Sequence, residues 1–356
     1  MSCRGKLKDN DIKGVVFLKE NIKENVSLPG SYSYNGIDLV KLICSFLVCV
    51  VHVPPFAESF SAGDEINFWL QNCVARIAVP FFFTASGFLF FRKGGLYNTE
   101  PDRLKGYCFK LLRLAGLWYI ILLTTKTVHL WYFGAVITAV IILYLLTKKK
   151  IKLKYIIFIA AVLYCIGLLG DAYYGVFEHL KAFTPIKLLS LLYENIVGGT
   201  RNGVFFGFLF VLLGALFAHK KIKLNKFLAA AGLIVSFAML FAEVYILRKY
   251  IGIQKYNIYI SLVPLEFFLF YIAMNLKLKD SIFYKRIRAI GVLIFCMHLA
   301  FNRYVRYAIK ALNYIAGIDI SAFHFIIVIL VTTAASVVVV RLSEKEKFSW
   351  LRYMYS

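Results

Sequence analysis

A chain of 356 residues with 60% hydrophobic and only 17% charged residues, at a mean hydropathy of +0.72, has more apolar surface than a water-soluble fold of its size can bury. Soluble globular, disordered and collagen-like classes are excluded, which leaves a polytopic membrane protein. The net charge of +23 does not point to nucleic acid, because Lys and Arg gather in short runs between apolar blocks (KKKIKLK, HKKIKLNK, KLKDSIFYKRIR), as they do in cytoplasmic loops.

Residues 1–35 mix basic and acidic side chains, lack an apolar core of signal-peptide length, and read as a cytoplasmic extension. About ten apolar blocks of membrane-spanning length follow, near 36–53, 68–91, 108–124, 130–147, 155–170, 202–218, 227–247, 258–276, 288–305 and 321–341. Lys110 and Arg113 intrude on the third, and the link TTKTVHLWYF to the fourth is very short. A long segment, about 171–201, holds Leu188, Leu189, Leu191 and Leu192 at helical spacing and reads as a helix lying on the outer surface or dipping partly inward, closed by GGTRNG. Residues 342–356 form a short charged tail. With the N-terminus inside, the inner segments hold about three times the Lys and Arg of the outer ones, which places both termini in the cytoplasm. The expected fold is therefore an all-α bundle of about ten transmembrane helices over 36–341. None of the seven cysteines has metal-ligand spacing, so neither a disulfide nor a structural metal is expected.

Ionisable residues inside spans are costly and mark function by default. The first span holds Asp38, Lys41 and His52. Eleven residues from Lys41 to His52 turn a helix by about 1100°, some 20° past three full turns, so the two share a face roughly 16 Å apart. A cation at one end of a polar stripe and a titratable base at the other suit a reaction that crosses the membrane; snorkelling of Lys41 and an interfacial His52 are the alternative. In the second span Arg76 demands a partner, Pro80 breaks the hydrogen-bond ladder, and Ser86 and Gly87 permit close helix packing. Glu266, mid-span after Pro264, could orient a catalytic imidazole. His298 reads more readily as a core histidine, Glu243 as interfacial and Asp171 as solvated. Arg201, at the outer start of the sixth block, suits a carboxylate on an outside ligand, or an interfacial anchor; Asn202 follows it. His129 and Trp131 fit an interfacial belt as well as a site.

Lys41-x10-His52 preceded by Asp38, RIAVPFFFTASGF, HLWYF and RNGVFFGFLFVLLGALFA, in that order, resemble the motifs of the membrane-bound acyltransferase-3 family. GLLGDAYYGVF and GGTRNGVFF add a resemblance to the membrane half of VanT-type membrane-bound serine racemases. The resemblance spans about 36–341. It implies a bacterial multi-pass cell-membrane protein that moves an acyl group from cytoplasmic acyl-CoA, usually acetyl-CoA, toward a serine or cell-wall-related acceptor at the outer face, in a vancomycin-resistance setting. His52 and Glu266 would be catalytic, Lys41, Arg76 and Asp38 would bind the donor, and Arg201 and Asn202 the acceptor. The VanT likeness implies a second reading, delivery of L-serine to a C-terminal racemase domain. That domain lies beyond these 356 residues, so neither racemase activity nor pyridoxal phosphate is expected of them. The lipid bilayer is the expected partner, and a homodimer stays open. A pure membrane anchor is disfavoured by the number of intramembrane ionisable groups.

Overall fold

The computed structural model describes residues 34–56, 62–127, 129–176, 199–251, 255–318 and 320–356, and the described residues form helices and no β-strand. The expected extension (all but residues 34–35) and the expected surface helix around Leu188 lie outside the described residues.

Helix α1 is Asn35–His52. The second block is composite: α2 (Gly63–Asn72), a 3₁₀ turn (Val74–Ile77) and α3 (Ala78–Phe91). Next come α4 (Pro101–Leu123), α5 (Trp131–Lys148) and α6 (Leu153–Leu169). A π-helical turn (Gly203–Gly207) leads into α7 (Phe208–His219). Helix α8 (Lys226–Ile246) ends in a second π turn (Leu247–Ile251). Then follow α9 (Leu262–Asn275), α10 (Ile282–Ala316) and α11 (His324–Ser343), with a 3₁₀ tail over Glu346–Met354.

Six of these are long and apolar enough to cross a membrane: α1, the composite Gly63–Phe91, α4, α5, α8 with its π turn, and Ser321–Ser343. Helices α6, α7 and α9 are apolar but shorter. The 35 residues of α10 outrun the block expected at 288–305, because the helix continues as an amphipathic rod through Arg286 and Arg288 at one end and Arg303, Arg306 and Lys310 at the other.

Local chemistry explains the boundaries. Pro101 opens α4, where its missing N–H costs nothing, and Asp102 sits in the first turn against the helix dipole. Gly317 ends α10 with φ +65°, and its N–H returns to the Asn313 carbonyl. Pro80 does not break the second span, contrary to the sequence expectation. It lies in the first turn of α3, and the break is the 3₁₀ turn just before it.

The largest core cluster is rich in phenylalanine, with Phe83, Phe90, Phe206, Phe208 and Phe210 all buried. Helices α3 and α7 form the most extensive helix pair. Their backbones touch at glycine: a Cβ on Gly87 would lie 2.1 Å from the Val211 carbonyl oxygen, and one on Gly214 would lie 1.9 Å from that of Thr84. Helix α10 lies along α1 and α11 and thereby brings His298 to the end of α1.

Candidate functional site

Lys41 and His52 sit on the same helix, α1, and the fold gives each a different neighbourhood. At the Lys41 end, Asp38 is buried and takes a two-pronged ion pair from Arg288 of α10, at 2.9 and 2.5 Å. Lys41 lies half-buried with Asp38, Arg288 and Lys110 as its charged neighbours. Asp38 is the one carboxylate among these neighbours of Lys41, and it is already committed to Arg288. Asp38 therefore acts as a clamp between α1 and α10, not as a free ligand for a donor.

At the other end, His52, Arg76, Arg201 and Asn257 line one cavity, floored by Val48 and Phe206. It is a tight cleft, with about 350 Å³ of space between its atoms, part of it open to solvent. Arg76 donates to Asn257 Oδ1 at 2.6 Å and to Asn72 Oδ1 at 3.0 Å, while its Nε has no partner among the described residues. Arg201 lies with its guanidinium carbon 4.4 Å from the centre of the Trp131 ring. Burial pulls the Arg201 guanidinium down to about 10, with the like charge of Arg76 acting in the same direction, so it remains a cation at neutral pH.

The cavity wall at Asn257 is not helical, and two carboxylates hold it. Asp171 Oδ1 accepts the Asn257 and Ile258 N–H groups at 2.7 and 3.1 Å, and Oδ2 accepts the Asn257 side-chain amide at 2.9 Å. Burial pushes the Asp171 carboxyl above its ordinary range, and these hydrogen bonds oppose the shift. Glu243 accepts from Tyr173 Oη at 2.7 Å, from the Ile260 and Ser261 N–H groups at 2.7 and 2.8 Å, and from the Ser261 hydroxyl. Asp171 is thus 1% exposed rather than solvated, and Glu243 is structural rather than merely interfacial.

Three imidazoles meet beside the cavity. Ring centroids are 5.3 Å apart for His52 and His298, 6.3 Å for His52 and His129, and 4.7 Å for His129 and His298. His298 is fully buried, and its Nδ1 faces the Phe295 and Ile294 carbonyls at 2.8 and 3.2 Å. Its Nε2 has no partner among the described residues. His129 places Nδ1 2.9 Å from the Thr127 carbonyl and Nε2 2.9 Å from that of Phe295, so neither nitrogen is free for His52.

The structure therefore brings His52, Arg76 and Arg201 together and leaves other expected site residues elsewhere. Arg76 lies with the His52 cavity and not with Lys41. Glu266 is fully buried but does not reach His52; its polar neighbour is Thr84, and neither carboxylate oxygen has a hydrogen bond of good geometry among the described residues. Asn202 is spent on a cap: its Oδ1 accepts the Val204 and Phe205 N–H groups at 2.9 and 3.0 Å, and its amide donates to the Gly199 carbonyl. Asn257 was not singled out in the sequence, since one Asn in a short polar link carries no signal by itself. His129 and His298 were seen singly, and 169 residues of chain hid their meeting.

Residues 34–128 match the family described as acyltransferase domain. The chain is 30% identical over 275 residues to an amino-acid racemase of Enterococcus faecalis, covering 69% of this chain and 37% of that protein. It is likewise 30% identical over 261 residues to a serine/alanine racemase of Enterococcus gallinarum, covering 66% of this chain and 36% of that one. The chain thus spans little more than a third of the length of these relatives. No solved structure matches it. Together these matches bear out the resemblance carried by the Lys41–His52 spacing: this is an all-helical, multi-pass membrane protein that resembles the acyltransferase-3 family in its first third and VanT-type racemases over most of its length.

Proposed function

We propose that this domain moves an acyl group from cytoplasmic acyl-CoA, with acetyl-CoA as the donor of choice, to a carboxylate-bearing acceptor such as serine or a cell-wall precursor at the outer face. The observation that carries the reading is that His52, Arg76 and Arg201 line one and the same cavity. His52 presents an imidazole, a side chain that can take a proton on one nitrogen and give one from the other. The two guanidiniums offer forked donors to the acceptor carboxylate, so Arg76 serves the acceptor side rather than the donor side. The donor enters at the Lys41 end, where Lys41, Lys110 and Arg288 supply charge for its phosphates. The helical rise of roughly 16 Å from Lys41 to His52 then falls to the pantetheine arm. His52 either deprotonates the acceptor hydroxyl, which attacks the thioester carbonyl and expels the CoA thiolate, or takes the acyl group itself and passes it on. This reading includes about ten transmembrane helices, with both termini cytoplasmic and, as in the longer relatives, a racemase domain beyond this segment.

A second reading, passage of L-serine toward that racemase domain, is favoured by one observation. The cavity is small, and a free amino acid suits its two arginines as well as an acceptor does. Vesicles holding wild type or His52→Ala separate the two, with radiolabelled acetyl transfer from CoA and L-serine uptake followed side by side. His52→Ala is expected to lose transfer while keeping CoA binding and expression. Loss of uptake alone would move the function to transport, and loss of neither would make the polar stripe structural.

A further inference from the structure

The three imidazoles differ in what their nitrogens are free to do. His298 Nδ1 faces only carbonyl oxygens of its own helix, at 2.8 and 3.2 Å, so it must carry the proton. Its Nε2 is then a bare lone pair, fully buried and without a partner among the described residues. A buried acceptor left in this state is costly, and the cost is removed by a donor in reach. His129 cannot serve, because each of its nitrogens faces a carbonyl oxygen, so whichever carries the N–H donates it there and not to His298. The remaining ring is His52, with its centroid 5.3 Å away.

We propose that His298 positions His52 by accepting its ring N–H at Nε2, which fixes one tautomer and leaves the opposite nitrogen of His52 as the unprotonated base facing the cavity. The arrangement follows the logic of a nucleophile–base–orienter triad, with a neutral imidazole in the place usually taken by a carboxylate. His129 completes it as a brace, sharing the Phe295 carbonyl and closing the far side. Glu266, which the sequence offered as the orienter, has no part in it. The inference rests on His52 acting as proposed above.

The test uses the full chain in lipid nanodiscs with His298→Leu, His298→Gln and His298→Asn. Gln can place its amide oxygen near the position of Nε2, whereas Asn is too short to do so. We expect His298→Leu to lower kcat for acetyl transfer by about 10²- to 10⁴-fold, the range that general-base catalysis contributes and whose upper end is the cost of the wrong tautomer in a carboxylate triad, with KM for CoA and acceptor unchanged. His298→Gln should recover most of that loss and His298→Asn should not. Wild-type kcat in His298→Leu, beside an inactive His52→Ala, would overturn this inference and leave the role of His52 standing. Equal rates for the Gln and Asn variants would overturn it as well, and this comparison does not need the Leu variant to fold. If wild type and His52→Ala transfer equally, the function proposed above falls instead. Nitrogen-15 resonances of labelled histidine then decide the inference alone: a single His52 tautomer that becomes mixed in His298→Leu supports it, and an unchanged one overturns it.

Discussion

Glu243 gathers donors from three places: the Tyr173 hydroxyl, the N–H groups of Ile260 and Ser261, and the Ser261 side chain. Removing the carboxylate strands these groups in or near the membrane, at about 1–3 kcal/mol for each donor left buried and unpaired. Glu243→Ala is therefore expected to lower the melting temperature of the purified protein and to loosen the His52 cavity, whose wall at Asn257 continues from the same segment. A melting curve equal to that of wild type would refute this. Arg201 lines the same cavity as His52 and carries the acceptor side of the proposed function. Arg201→Gln keeps hydrogen-bond donors and loses the charge, so KM for a carboxylate-bearing acceptor should rise roughly ten- to a hundredfold with CoA affinity unchanged. Unaltered acceptor kinetics would reduce Arg201 to an anchor stacked on Trp131. At this scale the sequence was legible where chemistry is costly regardless of surroundings. Arg76 and His52 stand out in any apolar run. Asp171 and Glu243 did not, because a carboxylate near a span end looks the same in sequence whether it is wet or gripped by backbone N–H groups.

Between α3 and α7 there is no room for a side chain at Gly87 or Gly214, where an added Cβ would meet backbone oxygens at 2.1 and 1.9 Å. Backbone cannot step aside as a flexible side chain can. Gly87→Val or Gly214→Val should therefore cost on the order of 1–3 kcal/mol or more by overpacking, read as a lower melting temperature and poorer recovery in detergent. Gly106→Ala on α4, where nothing lies within 4 Å of the added Cβ, is the control and should have little effect. The packing role of Gly87 was readable from SG in an apolar run. Its partner was not, because Gly214 lies in a different block and pairing across blocks is set by the tertiary fold. The blocks themselves were legible as runs of apolar residues, since membrane spans are written in composition. Their ends were less so. Helix α10 exceeds its apolar run because basic residues at both ends are compatible with helix and only interrupt hydropathy.

For the molecule as a whole, the proposed orientation, argued from the bias of Lys and Arg toward one set of loops, is open to a direct labelling test. In a cysteine-free background, a cysteine at Tyr314, beside the α10–α11 link, should react with an impermeant maleimide added to intact cells. One at Lys149, in the α5–α6 link, should react only once the membrane is opened; both positions are exposed. The reverse pattern would invert the topology and with it the placement of donor and acceptor.

Helices α1 and α10 are joined twice, by the Asp38–Arg288 pair and again where His298 lies against His52. Both run from the first junction to the second, and each advances about 1.5 Å per residue. The pair is a ruler with two fixed marks. Its gap cannot be stretched by small degrees: one residue added to α1 between Lys41 and His52 swings the imidazole by about 100°, away from His298 and out of the cavity. Only whole turns restore the direction, and each adds about 5.4 Å. On the proposed function, a donor arm must therefore match a length set in steps, and a carrier one turn too short would leave its acyl carbon facing the wall of the bundle.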